Sequence, residues 1–126
     1  MTPSAADRDL LFKSFGRAWF RRDVELLYQV VTPDFEWASH LGTATVRRIC
    51  GRDSIATALI ATGQDGMKRS FEDVVYHHAP EATFMTFRVV ETDIATGARR
   101  EEIGVERYTF RDGRIALKDV YRKLAG

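Results

Sequence analysis

The chain has 126 residues, of which 44% are hydrophobic and 29% charged, and its formal net charge at pH 7 is +1. This length and composition suit one globular domain with one hydrophobic core and exclude a disordered chain. The near-neutral charge gives no support to binding of nucleic acid or of an anionic membrane, and the apolar runs are far too short to cross a bilayer.

Three helices are predicted in the first half of the chain. Ser4 begins a capping-box pattern that opens the first helix, in which apolar residues then recur at helical spacing. Asp23 is expected to cap a second, short helix that Pro33 ends. The stretch 51–54 opens a third helix, which stops near Gly63.

Strands dominate the second half, where the hydrophobic period changes to two. A short strand at 34–40 precedes the third helix, and a meander of antiparallel strands follows that helix. The predicted strands of the meander are 71–78, 83–93, 99–110 and 114–122. This order predicts a single α+β domain over 1–126, in which a curved sheet wraps the helices with one of its faces.

The other face of the predicted sheet is a candidate dimer surface. Among its side chains are Ile103, Val105 and Val120. An exposed apolar patch on a sheet tends to be covered by a partner. A homodimer through this outer face is therefore expected.

The dipeptide Asp112-Gly113 lies between two apolar-rich runs and is a strong signal for a hairpin with a two-residue turn. Counting back on both strands pairs Glu106 with Asp119. The face that carries both acids would also carry Tyr108, Phe110, Ile115, Leu117 and Tyr121. Directly opposed like charges destabilise a strand pair, and a buried carboxylate must be paired, hydrogen-bonded or protonated. Carboxylates in an apolar setting are suited to proton transfer, so this face is a candidate site.

A second two-residue turn, at Thr96-Gly97, would set the register of the preceding strand. It would place Asp93 opposite Arg100, and Arg100 would then be the counter-charge of the acids. Alternate side chains share a face of a strand. The shared face would carry Phe87, Val89, Glu91, Asp93, Glu102, Glu106 and Asp119.

The order of these elements resembles the nuclear transport factor 2-like superfamily, in its SnoaL-like and limonene-epoxide-hydrolase-like branches. The resemblance covers nearly the whole chain. It rests on the first helix with Trp19, the cap Asp23, and the stretches 32–37, 51–55 and 110–121. It implies a cystatin-like, cone-shaped α+β barrel with a deep apolar pocket, usually dimeric through the sheet.

The resemblance also implies candidate catalytic residues. Asp93 stands where epoxide hydrolases of this type have the acid of an Arg-x-Asp motif, and Asp119 stands at their final Arg-Asp. Glu106 matches the neutral acid of steroid isomerases of the same fold. Asp119 is also the candidate acid of the SnoaL-type cyclases. In the epoxide hydrolase motifs, Glu91 stands at the arginine of Arg-x-Asp, and Trp37 and Ser39 stand at the tyrosine and asparagine of a Tyr-x-Asn motif. In the steroid isomerase pattern, Phe15 stands at the tyrosine of the first helix and Ser39 at the base.

Two functions remain open. One is a cofactor-independent cyclase, isomerase, dehydratase or hydrolase that acts on a mostly apolar, polyketide-like, terpenoid or steroid-like molecule. In that enzyme Asp119 would transfer the proton, and Asp93 or Glu106 would complete the relay. The alternative is a non-catalytic ligand-binding or dimerisation module, in which arginines neutralise the acids; for Asp119 the candidates are Arg88, Arg100 and Arg107.

The expected ligand contacts are mainly aromatic, with His40 at the mouth of the pocket. They are Phe15, Trp19, Trp37, Ser39, His40, Tyr76, Phe87, Glu91 and Tyr108. His77 and His78 are adjacent in a strand and point to opposite faces, so no metal site is expected, and no cofactor motif is present. The single Cys50 and the absence of a signal-peptide pattern favour a cytoplasmic location.

Overall fold

The computed structural model describes residues 2–40 and 46–125. Its helices are α1 (Ala5–Arg21), α2 (Val24–Val30) and α3 (Arg52–Ala61). Two predicted caps are confirmed, because Ser4 Oγ accepts the Asp7 N–H at 3.2 Å and Asp23 Oδ1 accepts the Leu26 N–H at 3.1 Å. No helix in the described ranges is long and apolar enough to cross a membrane.

All strands of the described chain belong to one sheet, in the order β2-β1-β6-β5-β4-β3. The strands are β1 (Val31–His40), β2 (Arg47–Cys50), β3 (Met67–His78), β4 (Thr83–Asp93), β5 (Arg99–Arg111) and β6 (Arg114–Leu124). Neighbouring strands pair antiparallel, except β1 and β6, which pair in parallel. The predicted α+β class is confirmed as a curved, unclosed sheet with helices on one face.

Two elements at the start of the sheet differ from the sequence-based expectation. The second helix ends at Val30 rather than at Pro33, which lies inside β1. The edge strand β2 was not predicted. Its four residues, two of them exposed arginines, are too few and too polar to show a period of two.

The inner face of the sheet is the one that packs against α1. Phe12 and Phe15 of α1 meet Tyr108 of β5 edge-on, with ring centroids 4.8 and 5.6 Å apart. The largest fully buried apolar side chains of this core are Tyr108, Phe35, Leu27, Ile55, Leu59 and Ile115. Burying side chains of this size contributes about 1.5–3 kcal/mol each, so this packing holds α1 over the sheet.

A β-bulge changes the predicted register of the last hairpin. Arg111 faces Arg114 as expected, but Thr109 pairs with Leu117 while Phe110 pairs with Ile115. Ala116 is therefore an extra residue on β6, and every later β6 side chain changes face. The predicted pairing of Glu106 with Asp119 is wrong.

Beyond the bulge, Glu106 pairs with Val120, and Asp119 pairs with Arg107. Lys118 and Val120 consequently point to the inner face, whereas Asp119 points to the outer face. Leu117 and Tyr121, predicted to lie inside, move outside with Asp119, and Val120 moves inside.

The hairpin between β4 and β5 is shifted by two residues from its predicted register. Asp93 N–H donates to Ala98 O at 2.8 Å, so the turn contains four residues rather than two. Glu91 consequently faces Arg100, and Val89 faces Glu102. A shift of two preserves which side chains share a face, so the inward direction predicted for the β4 side chains holds.

The outer face of the sheet exposes several large apolar side chains. Val75 is 49% exposed, Ile103 39% and Tyr121 41%. Ile103 and Val105 lie on this face, as predicted, because they pair with Arg88 and Thr86 of β4. Homodimer formation through the face stays a prediction.

Candidate functional site

A buried group of three polar side chains lies on the inner face, between β5 and β6. Lys118 Nζ is 2.8 Å from Glu106 Oε1 and 3.3 Å from the Tyr108 hydroxyl oxygen. The Tyr108 hydroxyl donates a hydrogen bond to the same Glu106 oxygen. Glu106 and Tyr108 are each only 2% exposed, and Lys118 is 7% exposed. We call these residues the inner triad.

Aromatic rings enclose the ammonium group of the inner triad. Lys118 Nζ lies 4.4 Å from the ring centroid of Trp19 and 5.6 Å from that of Phe15. Trp37 of β1 meets Trp19 edge-on, with centroids 4.7 Å apart. The negative ring faces attract the cation, and the ion pair with Glu106 offsets part of its cost of burial.

Trp37 also has an unused hydrogen-bond donor. Its Nε1 atom is buried and finds no acceptor within residues 2–40 and 46–125. A buried polar atom without a partner is uncommon in folded proteins. Trp37 pairs with Lys118, so this donor lies on the same face of the sheet as the inner triad.

Burial shifts the protonation equilibria of the inner triad. It lowers the pKa of Lys118 below the ordinary 10.5, while the Glu106 charge acts in the opposite direction. Burial and the adjacent Glu106 raise the pKa of Tyr108 well above 10.0. Burial and Glu106 also raise the pKa of Tyr76, whose ring stacks on Phe12 at 4.8 Å.

The raised pKa of Tyr108 predicts a loss of stability in alkali. Below pH 10.0, the ordinary pKa, this phenol is protonated in both the folded and the unfolded chain. As the pH rises further, the unfolded chain releases the proton first, so the free energy of unfolding falls, by up to about 1.4 kcal/mol per pH unit. Urea denaturation at about pH 9 and about pH 11 should show a smaller loss for Tyr108→Phe than for the wild type.

Lys118 is present in both proteins of that comparison and acts in the opposite direction. Its lowered pKa makes the free energy of unfolding rise as the pH approaches 10.5. The difference between the two slopes therefore isolates the phenol. Equal slopes for the wild type and Tyr108→Phe would show that Tyr108 ionises equally easily in the folded and unfolded chains.

Asp119 lies on the outer face, in a second polar cluster. Its Oδ2 accepts hydrogen bonds from Tyr121 at 3.0 Å and from Arg107 at 3.3 Å. His40 Nε2 is 3.0 Å from Oδ1, close enough for an ion pair but without hydrogen-bond alignment. The His40 ring stacks on Tyr121, with centroids 4.3 Å apart. Asp119 and His40 are thus separated by the sheet from the inner triad.

Asp93 lies at the end of β4 and has a local structural contact. Its Oδ1 accepts the N–H groups of Ala95 at 2.9 Å and Thr96 at 3.2 Å. These bonds stabilise the turn between β4 and β5. The predicted grouping of Asp93, Glu106 and Asp119 at one point is therefore not observed, and their predicted catalytic roles stay predictions.

Most of the other predicted site residues do meet on the inner side. Tyr76, Phe87 and Glu91 lie on the inner face with Glu106, and Ser39 occupies a position on that face opposite Val120. Glu91 is held by Arg69, with Nε 2.6 Å from Oε2. Around the inner triad the structure gathers Phe15, Trp19, Trp37 and Tyr76, and Tyr108 is a member of the triad itself.

Two open grooves lie along the sheet, with volumes of about 430 and 480 Å³. They share Thr86, Phe87 and Ile103, and neither is lined by Glu106 or Asp119. The predicted deep pocket thus stays a prediction. In the described part of the chain, no group of His, Cys, Asp and Glu residues is arranged to hold a metal ion.

Comparison with known proteins gives a family match and a set of similar folds. A model described as a SnoaL-like domain matches residues 12–118. A nuclear transport factor 2-like protein of Burkholderia xenovorans LB400 is 19% identical, with a TM-score of 0.80 over 95% of this chain and 92% of that chain. No curated protein matches the chain at a significant level.

Two further solved structures share the fold. A candidate polyketide cyclase of Xanthomonas campestris pv. campestris is 19% identical, with a TM-score of 0.71 over 92% of this chain and 90% of that chain. An LEH-like epoxide hydrolase of M. tuberculosis is 16% identical, with a TM-score of 0.68 over 96% of this chain and 86% of that chain. At these identities the likeness establishes the fold alone.

Proposed function

The chain belongs to the SnoaL-like domain family, and on that premise we propose that it is a small-molecule enzyme whose acid/base residue is Glu106. One observation carries the proposal. The Glu106 carboxylate is buried among aromatic rings and is bonded to one phenol and one ammonium group. Carboxylates in apolar surroundings, next to groups that hold or return a proton, are typical of general acid/base sites.

The proposed reaction begins with proton transfer at a carbon next to a carbonyl group. Glu106, paired with Lys118, would accept the proton. The Tyr108 hydroxyl and the Lys118 ammonium would then donate hydrogen bonds to the carbonyl oxygen, where negative charge develops. Where the enolate is conjugated with a carbon–carbon double bond, Glu106 would return the proton to the γ carbon, which is isomerisation. Alternatively the enolate carbon would attack a second carbonyl group, and Glu106 would return the proton to the alkoxide that forms, which is cyclisation. A candidate polyketide cyclase among the similar structures agrees with the second outcome.

The substrate would be small and mostly apolar, since aromatic side chains surround the inner triad. It would enter past Trp19 and Trp37, which are both partly exposed. Trp37 Nε1, without an acceptor in the described chain, would bind a polar atom of the substrate. This packing excludes bulk water, which strengthens each electrostatic contact with the reacting group.

Glu106→Gln is the variant that tests the proposal. A panel of apolar ketones and β-diketones is incubated with the protein in deuterated water, and deuterium incorporation and product formation are followed by mass spectrometry. For any compound that the wild type converts, Glu106→Gln is expected to lower the rate by about a hundredfold or more. Glu101→Gln is the matched control, because Glu101 lies in a partly exposed pair with Arg88.

Two results of this experiment would contradict the proposal. One is conversion by Glu106→Gln at the wild-type rate, measured on a variant whose circular dichroism confirms folding. The other is loss of conversion in Asp119→Asn while Glu106→Gln stays active, which would place the chemistry in the outer cluster with His40.

A non-catalytic ligand-binding module is the second candidate function. It is favoured by the complete pairing of the inner triad, in which Lys118 and Tyr108 both contact Glu106. In that case members of the panel would raise the melting temperature of the wild type without being converted.

A further inference from the structure

Arg122 is a second cation on the inner face. It lies two residues along β6 from Val120, the residue that pairs with Glu106. Its partner across the sheet is Gly104 of β5, which in turn pairs with Phe87 of β4. The guanidinium carbon of Arg122 is 5.5 Å from the ring centroid of Phe87 and 5.7 Å from that of Phe71. Two rings therefore border the guanidinium group, which favours a planar partner beside it.

Arg122 keeps unused hydrogen-bond donors. Its Nε is buried and has no acceptor in the part of the chain that the structure describes. Its Nη1 is 4.0 Å from Glu102 Oε1, which is too far for a hydrogen bond. That oxygen instead accepts a hydrogen bond from Arg100 at 3.1 Å.

The other carboxylate of this region is also engaged elsewhere. Glu91 Oε2 accepts a hydrogen bond from Arg69 at 2.6 Å, and Glu91 Oε1 is 3.6 Å from Arg100. Burial raises the pKa of Glu91, but a hydrogen bond to Glu102, a hydrogen bond from Arg69 and the charges of Arg69 and Arg122 together hold it below its ordinary value. Lys118 differs from Arg122 because its ammonium group has hydrogen-bond partners, Glu106 and Tyr108.

Gly104 sets the shape of the space beside Arg122. A Cβ at this position would lie 2.5 Å from Phe87 Cζ and 2.6 Å from the Tyr121 carbonyl oxygen. No side chain larger than hydrogen fits there without a shift of its neighbours. The Phe87 ring therefore lies against Gly104 and beside the guanidinium group of Arg122.

We propose that Arg122 binds the carboxylate, or an equally planar oxyanion, of the apolar molecule that occupies the inner face. The inference rests on the proposed function, because it names the chemical class of that site's ligand. Arg122 and Val120 are two residues apart on one strand face, so Arg122 lies about 7 Å along the strand from the row of Glu106. A short carbon skeleton anchored at Arg122 therefore reaches Glu106. A fork of two parallel hydrogen bonds suits a carboxylate and fixes its orientation.

Matched pairs of acids and amides test the proposal. Benzoate, cinnamate and hexanoate are titrated into the protein by calorimetry at neutral pH, each beside its uncharged amide. At least one acid is expected to bind the wild type about tenfold more tightly than its amide, because only the acid forms charge-assisted bonds to the guanidinium group. Arg122→Gln is expected to remove this preference.

Two further variants make the result interpretable. Arg122→Lys keeps the charge without the fork and should retain only part of the preference for the acid. Arg99→Gln removes the same charge from an exposed position on β5 and should leave the preference unchanged. The proposal is overturned if no acid binds the wild type better than its amide, or if Arg122→Gln keeps the wild-type preference.

The outcome is separable from that of the catalytic proposal. Glu106→Gln should still prefer the acid, because the carboxylate is bound by Arg122 rather than by Glu106. Preference for an acid that is never converted would support the role of Arg122 and count against catalysis. Conversion of neutral ketones by a protein that does not prefer acids to amides would support catalysis and count against the role of Arg122.

Discussion

Replacing Lys118 with methionine is expected to lower the free energy of unfolding by about 3–5 kcal/mol, because the Glu106 carboxylate then stays buried without its cation. Methionine retains the length of the side chain and its contacts with the surrounding rings, so the change acts mainly on charge. Denaturation by guanidinium chloride, followed by tryptophan fluorescence, measures the loss. Lys123→Met, on the exposed part of the same strand, is the control and should change stability by no more than about 0.5 kcal/mol.

The double variant Lys118→Met with Glu106→Gln turns this prediction into a test of coupling. With both charges gone, no isolated ion remains in the core, and most of the stability lost in Lys118→Met should return. A coupling energy of about 2 kcal/mol or more is expected from the four proteins. Simple additivity of the two single changes would show that the two side chains are solvated separately in the folded protein.

The same pair shows how far a sequence can specify this site. The alternation of apolar residues predicts that Glu106 lies on the apolar face of its strand, and the residue is buried on the inner face. The predicted partner, Asp119, is wrong because a count from Asp112-Gly113 assumes an unbroken ladder of paired residues. One extra residue, Ala116, moves Lys118 to the inner face and Asp119 to the outer face.

The bulge has a tertiary setting that local sequence does not reveal. β6 pairs on its other side with β1 in parallel, and that pairing is itself irregular between Val31 and Glu36. The pairings of β6 with β5 and with β1 therefore both shift register between Ile115 and Leu117. The pattern of apolar residues gives an average period, and it does not show where a single residue is unpaired. A register that leaves Ala116 unpaired places Lys118 beside Glu106 on the inner face.

Two predictions that depend only on contacts within a few residues of the chain are confirmed. The caps Ser4 and Asp23 satisfy N–H groups within their own first turns. The inward direction of Phe87 and Glu91 held because the turn before β5 contains an even number of residues. Contacts between distant segments had no such signal, and Arg8 is the clearest case.

Arg8 anchors the start of α1 to the turn between β3 and β4, and replacing it with methionine is expected to cost about 3–5 kcal/mol of stability. Arg8 is 5% exposed, and its guanidinium group donates hydrogen bonds of 2.6–3.2 Å. The acceptors are the carbonyl oxygens of Pro3, Ala79, Pro80 and Ala82 and the Thr83 hydroxyl. Without Arg8 these acceptors stay in place, and those that are buried lose their donor, which is the costly form of a lost hydrogen bond.

Arg8→Lys should recover little of that stability, because an ammonium group cannot reproduce a planar fork that reaches acceptors in several directions. Arg17→Met, which removes an exposed charge from the same helix, is the matched control. Equal stability of Arg8→Met and Arg17→Met in chemical denaturation would show that apolar packing alone holds α1. Trp19 of α1 covers Lys118, so a loosened helix should also shift tryptophan emission to longer wavelength in the folded variant. Such a shift would connect an anchor at the first turn of α1 with the enclosure of the inner triad.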